Sequence, residues 1–277
     1  MSFINSYASE LFKVRRRPAL WVILSVWLAL MLLFTYVFPY VGYRDATNAR
    51  EATGLLTRLL PASLAGQALT GYPVWGGSLI VVLGALVAGS EYGWGTLKAL
   101  LSNSPGRLTV YLGQIAALFT ILAALVIVAF GCSGLASIII GATTHAQLVA
   151  PSASDLAKSM AAGWMILCMW CTFGVALATL FRGTALSIGL GVVWVLAVEN
   201  LLRATAAIVP VIATVEKGLP GVNAGALVAA LGGPASTAGG TGIAAIVGGA
   251  QALAVVAVYL VLFAATAGLL LKRRDVQ

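Results

Sequence analysis

The 277-residue chain is 61% hydrophobic and only 9% charged, whereas soluble globular domains average about 45–50% apolar and about 25% charged residues. A water-soluble fold cannot hold so much apolar surface inside, which excludes a soluble globular protein and predicts a single membrane domain. The net charge of +8 does not indicate nucleic-acid binding, because the basic residues lie in short clusters beside apolar runs, as expected where charge fixes membrane orientation.

The first 17 residues predict an amphipathic helix that lies flat on the membrane surface. Apolar residues recur there at helical spacing: Phe3, Ile4, Tyr7, Leu11 and Val14. The other positions are mostly polar and end in the basic cluster Lys13, Arg15, Arg16 and Arg17. A frayed polar leader is the alternative. The apolar run that follows is too long for the core of a signal peptide, so we expect it to remain as the first membrane span.

Apolar runs of about 20 residues, each long enough to cross a hydrocarbon core of about 30 Å, predict an all-α fold with six spans. Their approximate ranges are Ala19–Phe38, Pro73–Gly89, Leu108–Ile140, Met160–Leu180, Thr184–Leu202 and Gly242–Leu271. The third range is long for one helix, so it is expected to tilt, bend or protrude. Between the first two spans, leucines from Leu55 to Leu64 predict a surface helix interrupted at Pro61.

An even number of spans places both termini on one side, and the basic residues indicate which side. Ten of the 16 lysines and arginines fall on the side of the termini, namely Lys13, Arg15, Arg16, Arg17, Lys98, Arg107, Arg182, Lys272, Arg273 and Arg274. Because basic residues beside a span favour the cytoplasm, we expect a cell (inner) membrane protein with both termini cytoplasmic.

The segment 203–241 is external in this topology, yet it is mostly Ala, Val, Ile, Leu and Gly. An exposed loop of that composition would leave apolar surface in water. Pro210, Gly218, Pro220, Gly221 and Pro234 divide it into pieces too short to span a membrane. It is therefore predicted to form a re-entrant helical hairpin between spans five and six, which membranes tolerate where protein or a cavity covers the backbone.

Few polar residues within the spans suggest chemistry. Glu199 and Arg203 are four residues apart, so they can pair on one helix face; they are either a functional pathway or outer-gate pair or a structural pair at the outer interface. Cys168 and Cys171 form a C-x-x-C inside an apolar run, which favours packing over zinc or redox chemistry. Neither a catalytic nor a metal site is predicted.

The loop 91–107 after the second span predicts a short cytoplasmic helix. Gly93 and Gly95 allow a sharp exit from the membrane, and Thr96 can cap a helix. The body of that helix contains Leu97, Lys98, Leu100 and Leu101, and it ends at Pro105 and Gly106 before Arg107. With Glu91 at one end and Arg107 at the other, the loop is suited to docking another protein; an ordinary interfacial turn is the alternative.

These residues resemble the permease subunits of type-two ATP-binding-cassette exporters. Members often carry a glutamate, Gly-Thr, a Leu-Leu pair, a proline and an arginine between spans two and three, which here are Glu91, Gly95, Thr96, Leu100, Leu101, Pro105 and Arg107. The basic leader resembles that family's interfacial elbow helix, and the broken apolar stretch before span six resembles its external re-entrant helices. The sequence departs from the pattern in having one residue, not two, between Pro105 and Arg107, and Gln114 where a lysine often stands.

The resemblance implies a permease that exports a hydrophobic or amphipathic substrate, such as a drug, antibiotic, peptide or lipid. It also implies two cytoplasmic ATPase subunits, which dock on the loop 91–107, and a second permease subunit, identical or related. The sequence contains no G-x-x-x-x-G-K-[ST] motif, so ATP and Mg are expected on the partner. An intramembrane enzyme and a non-transporting sensor or assembly partner are the alternatives.

Overall fold

The computed structural model describes residues 3–93, 106–206, 208–235 and 242–273. Within those ranges the chain is helical without a strand, and six helices are long and apolar enough to cross a membrane. The six are α2 (Pro18–Asp45), α4 (Tyr72–Tyr92), α5 (Arg107–Thr143), α6 (Ala153–Phe181), α7 (Ala185–Ala206) and α10 (Gly249–Arg273). The shorter helices of seven residues or more are α1 (Phe3–Arg15), α3 (Ala49–Leu59), α8 (Pro210–Glu216) and α9 (Pro220–Ala230), and one helical turn each lies at Pro61–Ser63 and Leu64–Gln67. For the described residues, the predictions of an all-helical fold and of six helices long and apolar enough to span a membrane are confirmed.

Helix α6 lies at the centre of the bundle, in contact with α4, α5, α7 and α10. Its residues Cys168, Trp170 and Cys171 are fully buried, and both cysteines are free thiols. A β-carbon on Gly84 of α4 would lie 2.2 Å from the Cys171 carbonyl oxygen. Glycine therefore lets the two helix backbones approach closely. Close backbone packing is typical of helices in lipid, because burying apolar side chains between helices contributes little free energy there.

The two ends of the bundle are distinguished by the chain termini. We call the side where α1 lies and α10 ends the termini side. There, the Tyr111 hydroxyl of α5 donates a hydrogen bond to the Ala264 carbonyl of α10 at 2.6 Å. We call the opposite end the far side. In the chain, helix α3 follows α2 and ends at Leu59, before Pro61. The predicted helix with an interruption at Pro61 is therefore present, and its location at the membrane surface remains a prediction.

The sixth span begins later than predicted, at Gly249 rather than Gly242. Gly242 has a φ of +70°, a conformation that α-helices do not contain. A β-carbon on Gly225 of α9 would lie 1.9 Å from the Gly242 carbonyl oxygen. The chain at Gly242 thus packs against α9, and the next residue, Ile243, is fully buried there, outside any membrane helix.

Helix α1 forms where predicted, but the side chains that it buries differ from the predicted apolar face. Its buried residues are Ser6, Glu10 and Val14, whereas Phe3 and Ile4 are exposed. The reason is that α1 packs along α5 and turns Glu10 towards a cation. The location of α1 at a membrane surface remains a prediction.

The segment 203–241 contains two short helices in its described part, α8 and α9, each with proline in its first turn, the position where a missing N–H costs least. Residues Pro220–Val228 of α9 are all buried, in contact with α10, α4 and α6. Protein contacts therefore cover the apolar side chains of α9. The entry of either helix into the membrane remains a prediction.

Candidate functional site

On the termini side, a buried charge cluster joins α1 to the end of α4. The Lys13 ammonium lies 3.2 Å from the Glu91 carboxylate and also pairs with Glu10, one turn earlier on α1. Both carboxylates are almost fully buried, while about one third of the Lys13 side chain is exposed. One lysine thus neutralises part of the negative charge of two buried carboxylates.

A second cation strengthens the same connection. The Arg17 guanidinium donates to the Ser90 hydroxyl at 2.5 Å and to the Leu86 carbonyl at 3.4 Å. Arg17 directly precedes Pro18, which starts α2. The corner between α1 and α2 is therefore bonded to the last turns of α4, next to the start of the predicted docking loop.

The pKa values of this cluster follow from its geometry. Burial raises the pKa of Glu10, as does the nearby Glu91 carboxylate, while Lys13 and Arg17 oppose the change. Burial lowers the pKa of Lys13, but Glu91 and Glu10 more than offset it, so that its pKa is raised. Lys13 therefore stays charged, and Glu10 binds a proton more readily than an exposed glutamate does.

The predicted docking loop is only partly described by the structure. Glu91 is buried in the last turns of α4, and Arg107 begins α5. Glu91 pairs with Lys13, which belongs to the basic cluster at the end of the N-terminal segment. The other predicted docking residues, Gly95, Thr96, Leu97, Lys98, Leu100, Leu101 and Pro105, lie outside the described residues. Their docking role stays a prediction.

On the far side, a second buried cluster surrounds Glu199, which is 2% exposed. One carboxylate oxygen accepts hydrogen bonds from the Trp194 indole at 3.1 Å and from the Gly221 backbone N–H at 3.2 Å. The other oxygen lies 3.9 Å from the Arg203 guanidinium. Gly221 is in the first turn of α9, so the carboxylate occupies the positive end of a helix dipole.

This approach requires glycine, because a β-carbon on Gly221 would lie 1.9 Å from the Glu199 carboxylate. The polar atoms of Arg203 are less completely hydrogen-bonded than those of Glu199. Its Nε and Nη2 atoms lack a hydrogen-bond partner within the part of the chain that the structure describes. Glu216 of α8 interacts with Arg203 electrostatically, which opposes a rise in the Glu216 pKa caused by burial. The cluster therefore connects α7, α8 and α9 through charged side chains that are largely buried.

Three membrane helices contain a π-helical turn in the described ranges: Leu33–Val37 in α2, Tyr72–Gly76 in α4 and Trp194–Val198 in α7. Those of α4 and α7 are in contact. The Phe34 and Trp75 ring centroids, from α2 and α4, are 6.0 Å apart. Such turns often occur at functional sites because they interrupt the regular hydrogen-bond ladder. The three turns form an irregular layer beside the Glu199 cluster.

The sequence identified part of each cluster. Spacing indicated the Glu199–Arg203 pair, and that ion pair is confirmed by the structure. Sequence reasoning missed Trp194, Gly221 and Glu216. The Pro220-Gly221 pair does signal a helix start, but only the folded chain shows which carboxylate that start receives.

Comparison with known proteins adds to this geometry. A family model described as ABC-2 family transporter protein matches residues 7–198, which is more than half of the chain and includes α2, α4, α5 and α6. No curated protein matches the chain. Because the match covers more than half of the chain, the chain belongs to the ABC-2 family of transporter proteins. With its six candidate spans, it is a multi-pass membrane protein of the permease type, the transport component of that family.

Proposed function

We propose that this chain is the permease subunit of an exporter driven by a separate ATP-binding-cassette ATPase. The observation that carries this proposal is the family match over residues 7–198, which includes the loop 91–107. The active assembly contains two permease subunits, identical or related, and two cytoplasmic ATPases. ATP and Mg bind to the ATPases. The substrate is hydrophobic or amphipathic, consistent with spans that expose mainly apolar side chains.

In this mechanism the loop 91–107 docks on the ATPase and transmits its motion. A docking element must be rigidly connected to the spans, because a flexible connection would absorb the movement. The contacts of Lys13 with Glu91 and of Arg17 with Ser90 support such a joint, since they connect α1, α2 and α4 at the start of the loop. Movement of the loop would therefore displace three helices together.

At the other end, the Glu199 cluster acts as an outer gate. It connects α9 to α7, next to the layer of π-helical turns in α2, α4 and α7. Regular helices resist local bending, whereas a π-helical turn already departs from the regular ladder. Rotation at these turns would move α9 away from the pathway and release the substrate on the far side.

The test of ATPase coupling uses the full chain, purified from its native membrane after crosslinking. The wild type is expected to retain an ATPase with a P-loop, and substrate should stimulate ATP hydrolysis in vesicles. Changing Leu100 and Leu101 to Asp should remove the ATPase, because charges cannot enter an apolar groove. The matched control changes Leu148 and Val149, an exposed apolar pair in the loop between α5 and α6, to Asp. Normal ATPase retention by the Leu100/Leu101 variant would contradict the coupling role.

The proposed orientation places both termini in the cytoplasm and Ser154 outside. An impermeant maleimide should label Ser154→Cys in intact cells, but should label a cysteine at position 277 only after the membrane is opened. Cys168 and Cys171 are fully buried, so they can remain, and Cys132 is changed to Ala. Labelling of position 277 in intact cells would refute this topology.

A further inference from the structure

An apolar groove runs along the outside of the bundle between α1, α2 and α5. Its volume is about 460 Å³. The walls are leucine, isoleucine and valine side chains: Leu20, Leu24 and Leu28 from α2, and Ile121, Leu125 and Val128 from α5. Among the residues that the structure describes, Arg15 of α1 is the one charged residue that lines the groove.

The length of the groove matches one leaflet of a membrane. Its α5 wall extends from Thr120 to Val128, about 12 Å at 1.5 Å per residue. Its α2 wall extends from Leu20 to Leu28, the same number of residues. Half of a hydrocarbon core measures about 15 Å. An acyl chain that lies along the bundle axis therefore fits the groove.

The basic residues of the N-terminal segment divide into two pairs. Lys13 and Arg17 turn inward onto α4. Arg15 and Arg16 are exposed, and in the ranges that the structure describes neither forms an ion pair with an acid. Arg15 lies at the groove, and the Arg16 guanidinium lies 5.0 Å from the Phe12 ring centroid. The outward pair thus provides positive charge that no acid in the described part of the protein neutralises.

The corner that presents Arg15 is fixed in place. The Trp21 indole, at the start of α2, donates to the Arg15 carbonyl at 2.9 Å. Trp21 also lines the groove and is 56% exposed. An amphipathic ring of this kind favours the headgroup level of a membrane. The cation, the indole and the end of the apolar groove therefore lie together where a lipid headgroup meets its chains.

We infer that this groove binds one phospholipid with an anionic headgroup, from the leaflet on the termini side. One acyl chain lies between α2 and α5, and the phosphate and headgroup contact Arg15 and Arg16. The inference rests on the membrane placement of α1 and α2 in the proposed function, but it needs neither the ATPase nor a transported substrate. The bound lipid would hold the corner between α1 and α2 from the outside, as Lys13 and Arg17 do from the inside.

The test is native mass spectrometry of the delipidated full chain, titrated with phosphatidylglycerol or phosphatidylcholine of identical acyl chains. The wild type should bind one phosphatidylglycerol per chain more tightly than phosphatidylcholine. Arg15→Ala should weaken phosphatidylglycerol binding about fivefold, the factor for one basic residue near an anionic surface, and leave phosphatidylcholine unchanged. Arg44→Ala, at an exposed arginine away from the groove, is the control and should change neither.

A second pair of variants tests the groove itself. Ala124 lines the groove and is exposed, so Ala124→Trp should fill it without disturbing the core and abolish binding of both lipids. Val258→Trp, on the exposed face of α10, should bind them normally. Equal affinity for the two lipids, or unchanged binding by Ala124→Trp, would overturn the inference. Because the measurement omits the ATPase, such a failure would leave the proposed transport function standing.

Discussion

The two buried charge clusters use opposite arrangements. On the termini side one cation, Lys13, serves two buried acids, Glu10 and Glu91, and keeps about one third of its side chain in solvent. On the far side one acid, Glu199, is almost fully buried and is held by an indole, a helix N-terminus and Arg203. The termini side therefore depends on its cation, and the far side depends on its acid.

This difference predicts which substitution damages each cluster. Glu91 can be lost while Lys13 keeps Glu10 as a partner, whereas loss of Lys13 leaves two neighbouring buried acids without their shared cation. Loss of Glu199 removes a partner from Trp194, Gly221 and Arg203 together. A buried charge that loses its partner costs more free energy than the pair contributed when intact, so the shared residue of each cluster should be its most sensitive position.

The largest effect is expected at Glu199. Glu199→Ala should lower the free energy of unfolding by about 3–5 kcal/mol, as is typical when one partner of a buried pair is removed. The measurement is denaturant unfolding in mixed micelles. The control is Asp155→Ala, since Asp155 pairs with Lys158 at 3.6 Å on an exposed surface, and exposed pairs contribute about 0–1 kcal/mol. Equal destabilisation by the two variants would contradict the expectation that the buried Glu199 cluster contributes more to stability than the exposed pair.

A double-mutant cycle tests the contact between α7 and α9. Gly221→Ala should destabilise the protein because its β-carbon would overlap the Glu199 carboxylate. Combined with Glu199→Ala it should cost less than the sum of the two single changes, with a coupling of about 1–3 kcal/mol. Gly189→Ala, where a β-carbon meets nothing within 4 Å, is the control. Strict additivity would show that the two residues do not touch.

On the termini side, Lys13→Ala should be more harmful than Glu91→Ala. We expect a loss of up to about 3 kcal/mol for Lys13→Ala, because two buried acids lose their shared partner. For Glu91→Ala we expect about 1 kcal/mol, because Lys13 is partly exposed and keeps Glu10 as a partner. Unfolding of both variants in the same micelles makes the comparison, and a larger loss for Glu91→Ala would reverse the assignment. Transport should fall in both variants while the chain still inserts.

The smallest effect concerns pH. The raised pKa of Glu10 means that the folded protein binds this proton more tightly than the unfolded chain does. The corresponding stability is present at low pH and is lost as the pH rises through the pKa of the folded state. The Tm should therefore contain a component that falls as the pH rises from the ordinary pKa of a glutamate through the raised pKa of the folded state, and Glu10→Gln should remove this component. Unchanged pH dependence in that variant would show that Glu10 titrates normally.

Span prediction succeeded because it depends on local properties of the chain. A helix satisfies its own backbone groups, so a run of apolar residues is enough to predict a span in lipid. The start of the sixth span was wrong because apolar residues after Gly242 satisfy the same rule while packing on α9. In the same way, helical spacing predicted α1, but it could not show that Ser6 and Glu10, rather than Phe3 and Ile4, face the protein.

By itself the sequence determined the helical class, the six candidate spans, the short helices in the described part of the segment 203–241 and the pairing of Glu199 with Arg203, because each depends on composition or on residues a few positions apart. Only the tertiary structure decided that Lys13 meets Glu91, that α9 presents Gly221 to Glu199, and that Arg15 borders a groove between α2 and α5. These contacts join residues far apart in the chain. Their partners are chosen by the close approach of helices, and no local pattern records which helix will lie next to which.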